Sequence, residues 1–167
     1  MSPTPVLVAQ ISDLHIKSPG QLAYGRVDTG RALEHCITAL NEFRPRPDLV
    51  VISGDLVDTP TADEYEHLKR LLSQLDLRVV SIPGNHDSRK LMRAAFPHAA
   101  YAFSSGPLNQ RVEIGGLDLV LLDSSVHGKP HGELDAATLH WLEAVLVSSP
   151  DRPALLFLHH PPFSTGI

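Results

Sequence analysis

The chain of 167 residues contains a single cysteine, Cys36, so it cannot form an internal disulfide, and such usage fits a reducing compartment. Its formal net charge of −5 lacks the basic excess that general nucleic-acid binders and anionic-membrane binders carry. No stretch approaches the roughly 18 apolar residues of a membrane-spanning helix, and the amino-terminal segment lacks the basic start of a signal peptide. We therefore expect a cytoplasmic protein that binds neither nucleic acid nor membranes.

Length and composition predict one globular domain over residues 1–167. A chain of this length is long enough for one substantial core and too short for two ordinary domains. The apolar fraction of 43% and the charged fraction of 20% are typical of soluble globular proteins. Cys36 falls within a helical pattern, and we expect it in the buried core.

Five short apolar runs predict the strands of a mostly parallel sheet. They are rich in valine, leucine and isoleucine and mostly unbroken by polar residues, as in strands that are buried on both faces. The runs occupy residues 5–11, 48–53, 78–82, 117–123 and 153–159. Gly115 and Gly116 separate the fourth run from residues 110–114, as the turn of an additional antiparallel hairpin would.

Helical patterns alternate with these runs and predict an α/β fold. Leu33, Ile37 and Leu40 form one apolar stripe, which Phe43 extends. Thr61 and Glu64 form a candidate capping box for a second helix. A short helix is expected over 88–96, and Asp135 is the expected cap of a further helix with Leu139, Leu142 and Leu146 on its buried face.

Polar residues end every one of the five runs, which leave through ISDLH, SGDLVD, PGNHD, LLDSS and LHHPP. In open α/β sheets, ligands bind in the crevice beyond the carboxyl ends of the strands. Carboxylate, amide and imidazole groups without a thiolate suit Mn, Fe, Zn or Co. The pattern therefore predicts a metal site at this edge of the sheet.

The first two polar blocks offer carboxylates and one imidazole. Asp13 and His15 lie two residues apart, so in an extended segment both side chains point the same way and can reach one ion. The alternative is that Asp13 caps a turn and His15 is merely exposed. Asp55 follows Gly54 and has two oxygens with which to bridge two cations. Asp58 is the weaker candidate and is expected to hydrogen-bond locally or to cap the next segment.

The later blocks offer an amide and three imidazoles. Asn85 is either a neutral ligand or a turn-forming residue after Pro-Gly. His86 stands beside Asp87, which suggests an imidazole oriented or kept protonated by a carboxylate. His159 and His160 close the last run, and the residues alone leave open whether they bind metal or end a core strand. The segment 123–134 either lines a pocket or is a surface connection.

The blocks resemble the calcineurin-like metallophosphoesterase superfamily, whose motifs run D-x-H, G-D-x-x-D, G-N-H-D/E, H and G-H-x-H. The resemblance covers about residues 6–167 and is strongest to the bacterial branch that holds class III cyclic-nucleotide phosphodiesterases and glycerophosphodiesterases. It implies an α/β/β/α sandwich, of which the first sheet and part of the second are present. The final G-H-x-H motif does not occur, so we expect a domain that is incomplete at its carboxyl terminus and that self-associates as a homo-oligomer.

The resemblance also implies roles for individual residues and a reaction. Asp13 and His15 would hold one divalent or trivalent metal ion, Asp55 would bridge two, and Asn85 and His159 would hold the second, while His86 and Asp87 would be catalytic and His160 supporting. The implied function is hydrolysis of small phosphodiesters, 3′,5′-cyclic nucleotides or glycerophosphodiesters, by a metal-bridging hydroxide. The alternative is an inactive or weakly active metal-binding fragment. A nucleic-acid or phosphomonoester substrate is disfavoured by the acidic charge and by the closer resemblance to the phosphodiesterase branch.

Overall fold

A computed structural model describes residues 5–101 and 105–165, in which six strands and four helices are formed. In chain order the elements are β1 (Val8–Ile11), α1 (Thr29–Glu42), β2 (Leu49–Ile52), α2 (Ala62–Leu72), β3 (Val79–Ser81), α3 (Arg89–Ala95), β4 (Gln110–Ile114), β5 (Leu117–Leu121), α4 (Ala136–Val147) and β6 (Ala154–Phe157). The predicted alternation of strands and helices is confirmed. The residues 102–104 of the YAFSS segment lie outside the described residues.

The strands form two three-stranded sheets rather than the single sheet that the apolar runs suggested. The first sheet has the order β1-β2-β3 and is entirely parallel. In the second sheet, β4 and β5 form the predicted antiparallel hairpin, and β6 joins β5 in parallel. The resemblance, unlike the apolar pattern, implied two sheets, and this two-sheet α/β fold is confirmed.

Alternate residues of β2 explain why its sequence is unbroken by polar residues. Val50 and Ile52 pack into a core with the helices α1, α2 and α3. Leu49 and Val51 pack into a second core with Leu119 and the other inward residues of the second sheet. Both faces of β2 are therefore buried, and the second core is the surface on which the two sheets stack.

Side-chain caps fix where the helices begin, so the loops before them have defined ends. The Thr61 hydroxyl accepts a hydrogen bond from the Glu64 amide, and the Asp135 carboxylate accepts one from the Thr138 amide, as predicted. The Glu64 carboxylate accepts from the amide of Thr59, two residues before the cap. This contact ties the start of α2 to the loop after β2, which carries the candidate ligands.

Four burial predictions are wrong or only partly met. Phe43 lies at the end of α1 rather than on its buried stripe and is exposed, and Cys36 is only partly buried. Leu139 and Leu146 of α4 are 49% and 40% exposed, and Thr138 is the buried residue of that helix. β6 is also open, with Leu155 and Leu156 both exposed. These four leucines are partly open to solvent, so their apolar pattern did not lead to burial.

No helix among residues 5–101 and 105–165 is both long enough and apolar enough to span a membrane.

Candidate metal centre

The loops after β1 and β2 run side by side and carry three of the predicted ligands. The amide of Asp13 donates to the carbonyl of Gly54, and the amide of His15 donates to the carbonyl of Asp55. Asp13, His15 and Asp55 have φ values of 56°, 43° and 51°, in the left-handed region that non-glycine residues rarely occupy. The expectation that Asp13 and His15 converge in an extended segment is therefore wrong. They converge because left-handed turns, held by the neighbouring loop, aim both side chains into the crevice.

The Asp55 carboxylate lies at the centre of the site and is buried. Its Oδ2 is 3.6 Å from His15 Nε2, and its Oδ1 is 3.6 Å from His159 Nε2. Oδ1 also accepts a hydrogen bond of 2.9 Å from the amide of His86. Each carboxylate oxygen thus faces a different imidazole, which is the arrangement expected of a group that can bridge two cations.

His159 reaches the site from the second sheet. Its Nδ1 lies 3.0 Å from the carbonyl of Ser53 and must donate, because a carbonyl oxygen only accepts. Its Nε2 is left facing Asn85 Oδ1 at 3.3 Å. In a neutral imidazole this nitrogen carries a lone pair, so two electron-pair donors face each other, a contact that a cation between them stabilises.

His86 is oriented by a backbone group and not by its neighbour. Its Nδ1 donates to the carbonyl of Asp58 at 2.7 Å, which leaves Nε2 free. The His86 ring packs edge-to-face against His15, with centroids 4.6 Å apart. The prediction that Asp87 orients His86 is thus replaced by an orientation from Asp58, which the sequence could not reveal because it depends on a carbonyl.

Asp87 joins the loops of the site from beneath. Its Oδ2 accepts from the amides of Leu56 (3.0 Å) and Gly84 (2.9 Å), and its Oδ1 accepts from the Tyr65 hydroxyl (2.9 Å). Burial raises the pKa of Asp87, and the two amide donors oppose that rise. Through these contacts Asp87 connects the loops after β2 and β3. Its catalytic role stays a prediction.

Tyr65 completes this anchor, and its removal is expected to destabilise the fold. The fully buried hydroxyl donates to Asp87 and accepts from the amide of Ser88 at 3.1 Å, and burial raises its pKa far above the usual range. We expect Tyr65→Phe to lower the free energy of unfolding by about 1–3 kcal/mol, because a buried carboxylate and an amide lose their partner. Urea denaturation would measure this, with exposed Tyr24→Phe as the matched control. Equal midpoints for the two variants would contradict the anchor.

Two further residues lie near the site: Asp58, the weaker candidate of the second block, and Lys17, which the sequence did not single out. Asp58 Oδ1 lies 3.4 Å from His15 Nδ1, and its Oδ2 accepts from Lys17 Nζ at 2.8 Å. Burial works to raise the pKa of Asp58, but the Lys17 ammonium outweighs it and the pKa is lowered. Asp58 therefore lies at ion-pair distance behind His15, without a hydrogen bond to its Nδ1. The G-D-x-x-D spacing was the available signal for it.

His160, which is predicted to have a supporting role, packs directly against His159. Its Nδ1 lies 2.8 Å from the Ser124 hydroxyl, and its ring packs edge-to-face on His159 with centroids 4.9 Å apart. A Cβ at Gly132 would lie 2.3 Å from the His160 ring, so only glycine fits beside it. Burial lowers the pKa of His160, which favours the neutral ring in this position.

Glycines allow equally close approaches at the centre of the site. A Cβ at Gly54 would lie 2.3 Å from His159 Nδ1, and a Cβ at Gly84 would lie 2.1 Å from Asp55 Oδ1 and 2.4 Å from the Asp55 amide nitrogen. The φ of Gly54 is +113°, a second reason for glycine there. The motif glycines are thus required by the packing of backbone against ligand side chains.

A cleft of about 710 Å³ lies away from these residues, between β3, β4 and the segment 95–101. None of the predicted site residues lines it. The candidate metal site is therefore identified from the strand-end residues and not from this cleft.

The described side chains form two overlapping groups that could hold metal ions. One group is His15, Asp55 and His86, and the other is Asp13, Asp55 and His159, with ligand atoms in each group within 4.8 Å of one another. Asp55 belongs to both. His86 was not predicted as a ligand, and exposed Asp13, whose Oδ1 is 3.9 Å from His15 Nε2, reaches toward both groups. The oxygen and nitrogen donors fit the predicted class of metal.

A two-sheet α/β fold with these donors at its strand ends defines a candidate metal-binding protein of the phosphoesterase type. The family model described as calcineurin-like phosphoesterase matches residues 6–167, and the chain belongs to this family.

The curated relatives are phosphodiesterases. A probable glycerophosphodiester phosphodiesterase of Arcobacter nitrofigilis is 41% identical over 162 residues, covering 97% of this chain and 59% of that protein. A glycerophosphodiester phosphodiesterase of Enterobacter lignolyticus is 36% identical, covering 96% and 59%. A 3′,5′-cyclic-nucleotide phosphodiesterase of Nostoc sp. is 33% identical, covering 97% and 59%. The chain therefore spans about three-fifths of the length of these relatives.

Proposed function

We propose that this chain carries the metal centre of a phosphodiesterase that hydrolyses small phosphodiesters, 3′,5′-cyclic nucleotides or glycerophosphodiesters, with two metal ions. The observation that carries the proposal is the Asp55 carboxylate, whose two oxygens face His15 and His159 at 3.6 Å each. The names of the relatives support the substrate class. The net charge of −5 disfavours a nucleic-acid substrate.

The proposed ligands divide between the two ions as the family motifs imply. Asp13 and His15 would hold one ion, Asn85 and His159 the other, and Asp55 both. When bound, the ions would neutralise charge on the phosphate and lower the pKa of water at the site. The chain's own contribution is orientation, since each histidine has its Nδ1 beside a carbonyl or carboxylate and its Nε2 toward the crevice.

His86 is the proposed proton donor to the leaving oxygen. Its Nδ1–H is held by the carbonyl of Asp58, so the ring is fixed and Nε2 is the atom that can carry an exchangeable proton toward substrate. The edge of the His15 ring limits its rotation from the other side. His86 therefore needs no carboxylate partner to be positioned.

Metal removal tests this proposal. We expect hydrolysis of bis(p-nitrophenyl) phosphate to fall on the order of 10²-fold after chelation and dialysis and to return on addition of Mn²⁺, because loss of the ions removes charge neutralisation at phosphorus. Release of p-nitrophenol is the measurement. Parallel assays with cyclic AMP, a glycerophosphodiester and p-nitrophenyl phosphate would define the substrate class. Turnover that is indifferent to chelation would overturn the metal mechanism.

A metal-binding fragment with little or no turnover is the second candidate function. Each group of candidate ligands contains three histidine or aspartate residues, and the chain covers 59% of the length of the relatives. Calorimetric titration with Mn²⁺ separates the two functions. Stoichiometric binding without hydrolysis of any of the four substrates would favour the fragment.

A further inference from the structure

The proposed ligands come unequally from the two sheets. Asp13, His15 and Asp55 all lie on the loops after β1 and β2, which are joined by backbone hydrogen bonds. His159 alone follows a strand of the second sheet, β6. Its distance from Asn85 therefore depends on how the second sheet is held against the first at this end of the fold.

Near this point, Arg89 connects helix α3, which packs on the first sheet, to the segment that follows β5 of the second sheet. It is the first residue of α3 and follows the loop that carries Asn85 and His86. Its Nε donates to Asp123 Oδ2 at 2.6 Å, and one terminal nitrogen donates to Asp123 Oδ1 at 3.2 Å and to the Ser125 carbonyl at 2.7 Å. The Asp123 side chain is completely buried just beyond β5. A forked guanidinium contact of this kind fixes both distance and angle.

Ser124 lies between these two partners of Arg89 and leads to the metal ligand. Its buried hydroxyl contacts His160 Nδ1 at 2.8 Å and accepts from the His160 amide at 3.4 Å. The His160 ring packs directly on His159. The contacts thus run without a break from Arg89 through residues 123–125 and His160 to His159.

We propose that Arg89 is a positioning residue for His159, and that it acts by holding residues 123–125 so that Ser124 fixes His160. The inference rests on the proposed function only where metal ions are concerned. Loss of the Arg89 contacts should therefore weaken binding of the ion that His159 would hold, and it should not affect binding of the ion at Asp13 and His15. The latter pair is fixed by the first sheet alone.

A purely structural role for Arg89 predicts a different pattern of effects. Deleting the guanidinium leaves the Asp123 carboxylate buried and unpaired, which destabilises the whole fold and both ion sites together. Arg89→Lys avoids this because the ammonium still neutralises Asp123 while losing the forked contact. Arg89→Lys therefore separates stability from positioning, because the contacts of Asp123 with the amides of Leu108 and Ser125 are also kept.

The first test needs no metal. The His159 Nδ1–H, bonded to the Ser53 carbonyl, is visible by nitrogen-15 NMR of histidine-labelled protein. We expect its exchange with water to be about tenfold faster in Arg89→Lys and in Ser124→Ala, while the thermal midpoint of Arg89→Lys remains near that of the unsubstituted chain. Unchanged exchange in Arg89→Lys would overturn the inference.

The second test is titration with Mn²⁺, with His159→Gln identifying which binding event involves His159. Arg89→Lys should weaken that event about tenfold and leave the other unchanged. Equal weakening of both events, or of neither, would overturn the inference. Arg111→Lys is the matched control, because Arg111 donates to buried Asp118 at 2.7 Å near the opposite end of β5. If the unsubstituted chain binds no Mn²⁺, the proposed function fails, and the NMR result still decides the inference.

Discussion

Asp55→Asn is expected to abolish metal-dependent hydrolysis while leaving the fold intact. The amide has the same shape as the carboxylate, and its oxygen can still accept from the His86 amide, so the buried contact is kept. Its nitrogen, however, is a donor that would face His15 or His159 and cannot bind a cation. We expect a loss of at least about 10²-fold in hydrolysis of bis(p-nitrophenyl) phosphate, together with the loss of tight binding of both ions.

The control for this variant is Asp63→Asn, which removes the same charge from the exposed first turn of α2. Both variants should have thermal midpoints close to that of the unsubstituted chain when chelator is present. Hydrolysis by Asp55→Asn within a factor of two of the control would show that Asp55 does not bridge the ions.

Gly84→Ala is expected to displace Asp55 and thereby to lower both the stability of the fold and the rate of hydrolysis. The added methyl group would lie 2.1 Å from Asp55 Oδ1 and 2.4 Å from its amide nitrogen. The second of these atoms is backbone, which cannot rotate away, so the loops after β2 and β3 must separate. Overpacking of this kind costs about 1–3 kcal/mol of stability. Because misplacement of reacting groups by about 1 Å can cost 10²-fold in rate, we expect a loss of that order in hydrolysis.

Gly30→Ala provides the matched comparison for Gly84→Ala. It makes the same change in helix α1, where the nearest atom is His67 Cε1 at 3.1 Å, part of a side chain that can shift. Urea denaturation and the hydrolysis assay would be measured on both. If Gly84→Ala matches Gly30→Ala in both measurements, the close approach to Asp55 does not constrain the site.

The sequence predicted which residues would meet because parallel strands deliver their carboxyl ends to one edge. Asp13, Asp55 and Asn85 follow β1, β2 and β3 in the same sheet, and this placement follows from the strand pattern alone. His159 was also predicted there, although it comes from a second sheet. A short apolar run does not indicate which sheet its strand will join. Only the resemblance to the family therefore predicted two sheets.

The details of orientation were not predictable because they depend on backbone conformation. The carbonyl of Asp58 orients His86, and left-handed turns orient Asp13 and His15. The residue types in the sequence do not indicate either feature. Asp87 was assigned to His86 because the two are adjacent in sequence, whereas its carboxylate points to Leu56, Gly84 and Tyr65. The exposed leucines of α4 show the same limit, since helical spacing predicts a face but not what covers it.

The hydrogen bond between His159 and Ser53 joins residues that are 106 positions apart in the chain. During synthesis, the segments that carry Asp13, Asp55 and Asn85 leave the ribosome well before residue 159 does. Contacts between such distant residues form late because the intervening chain must first be closed into a loop. The first sheet can thus assemble before His159 arrives, and the proposed metal ligands come together only when β6 has docked.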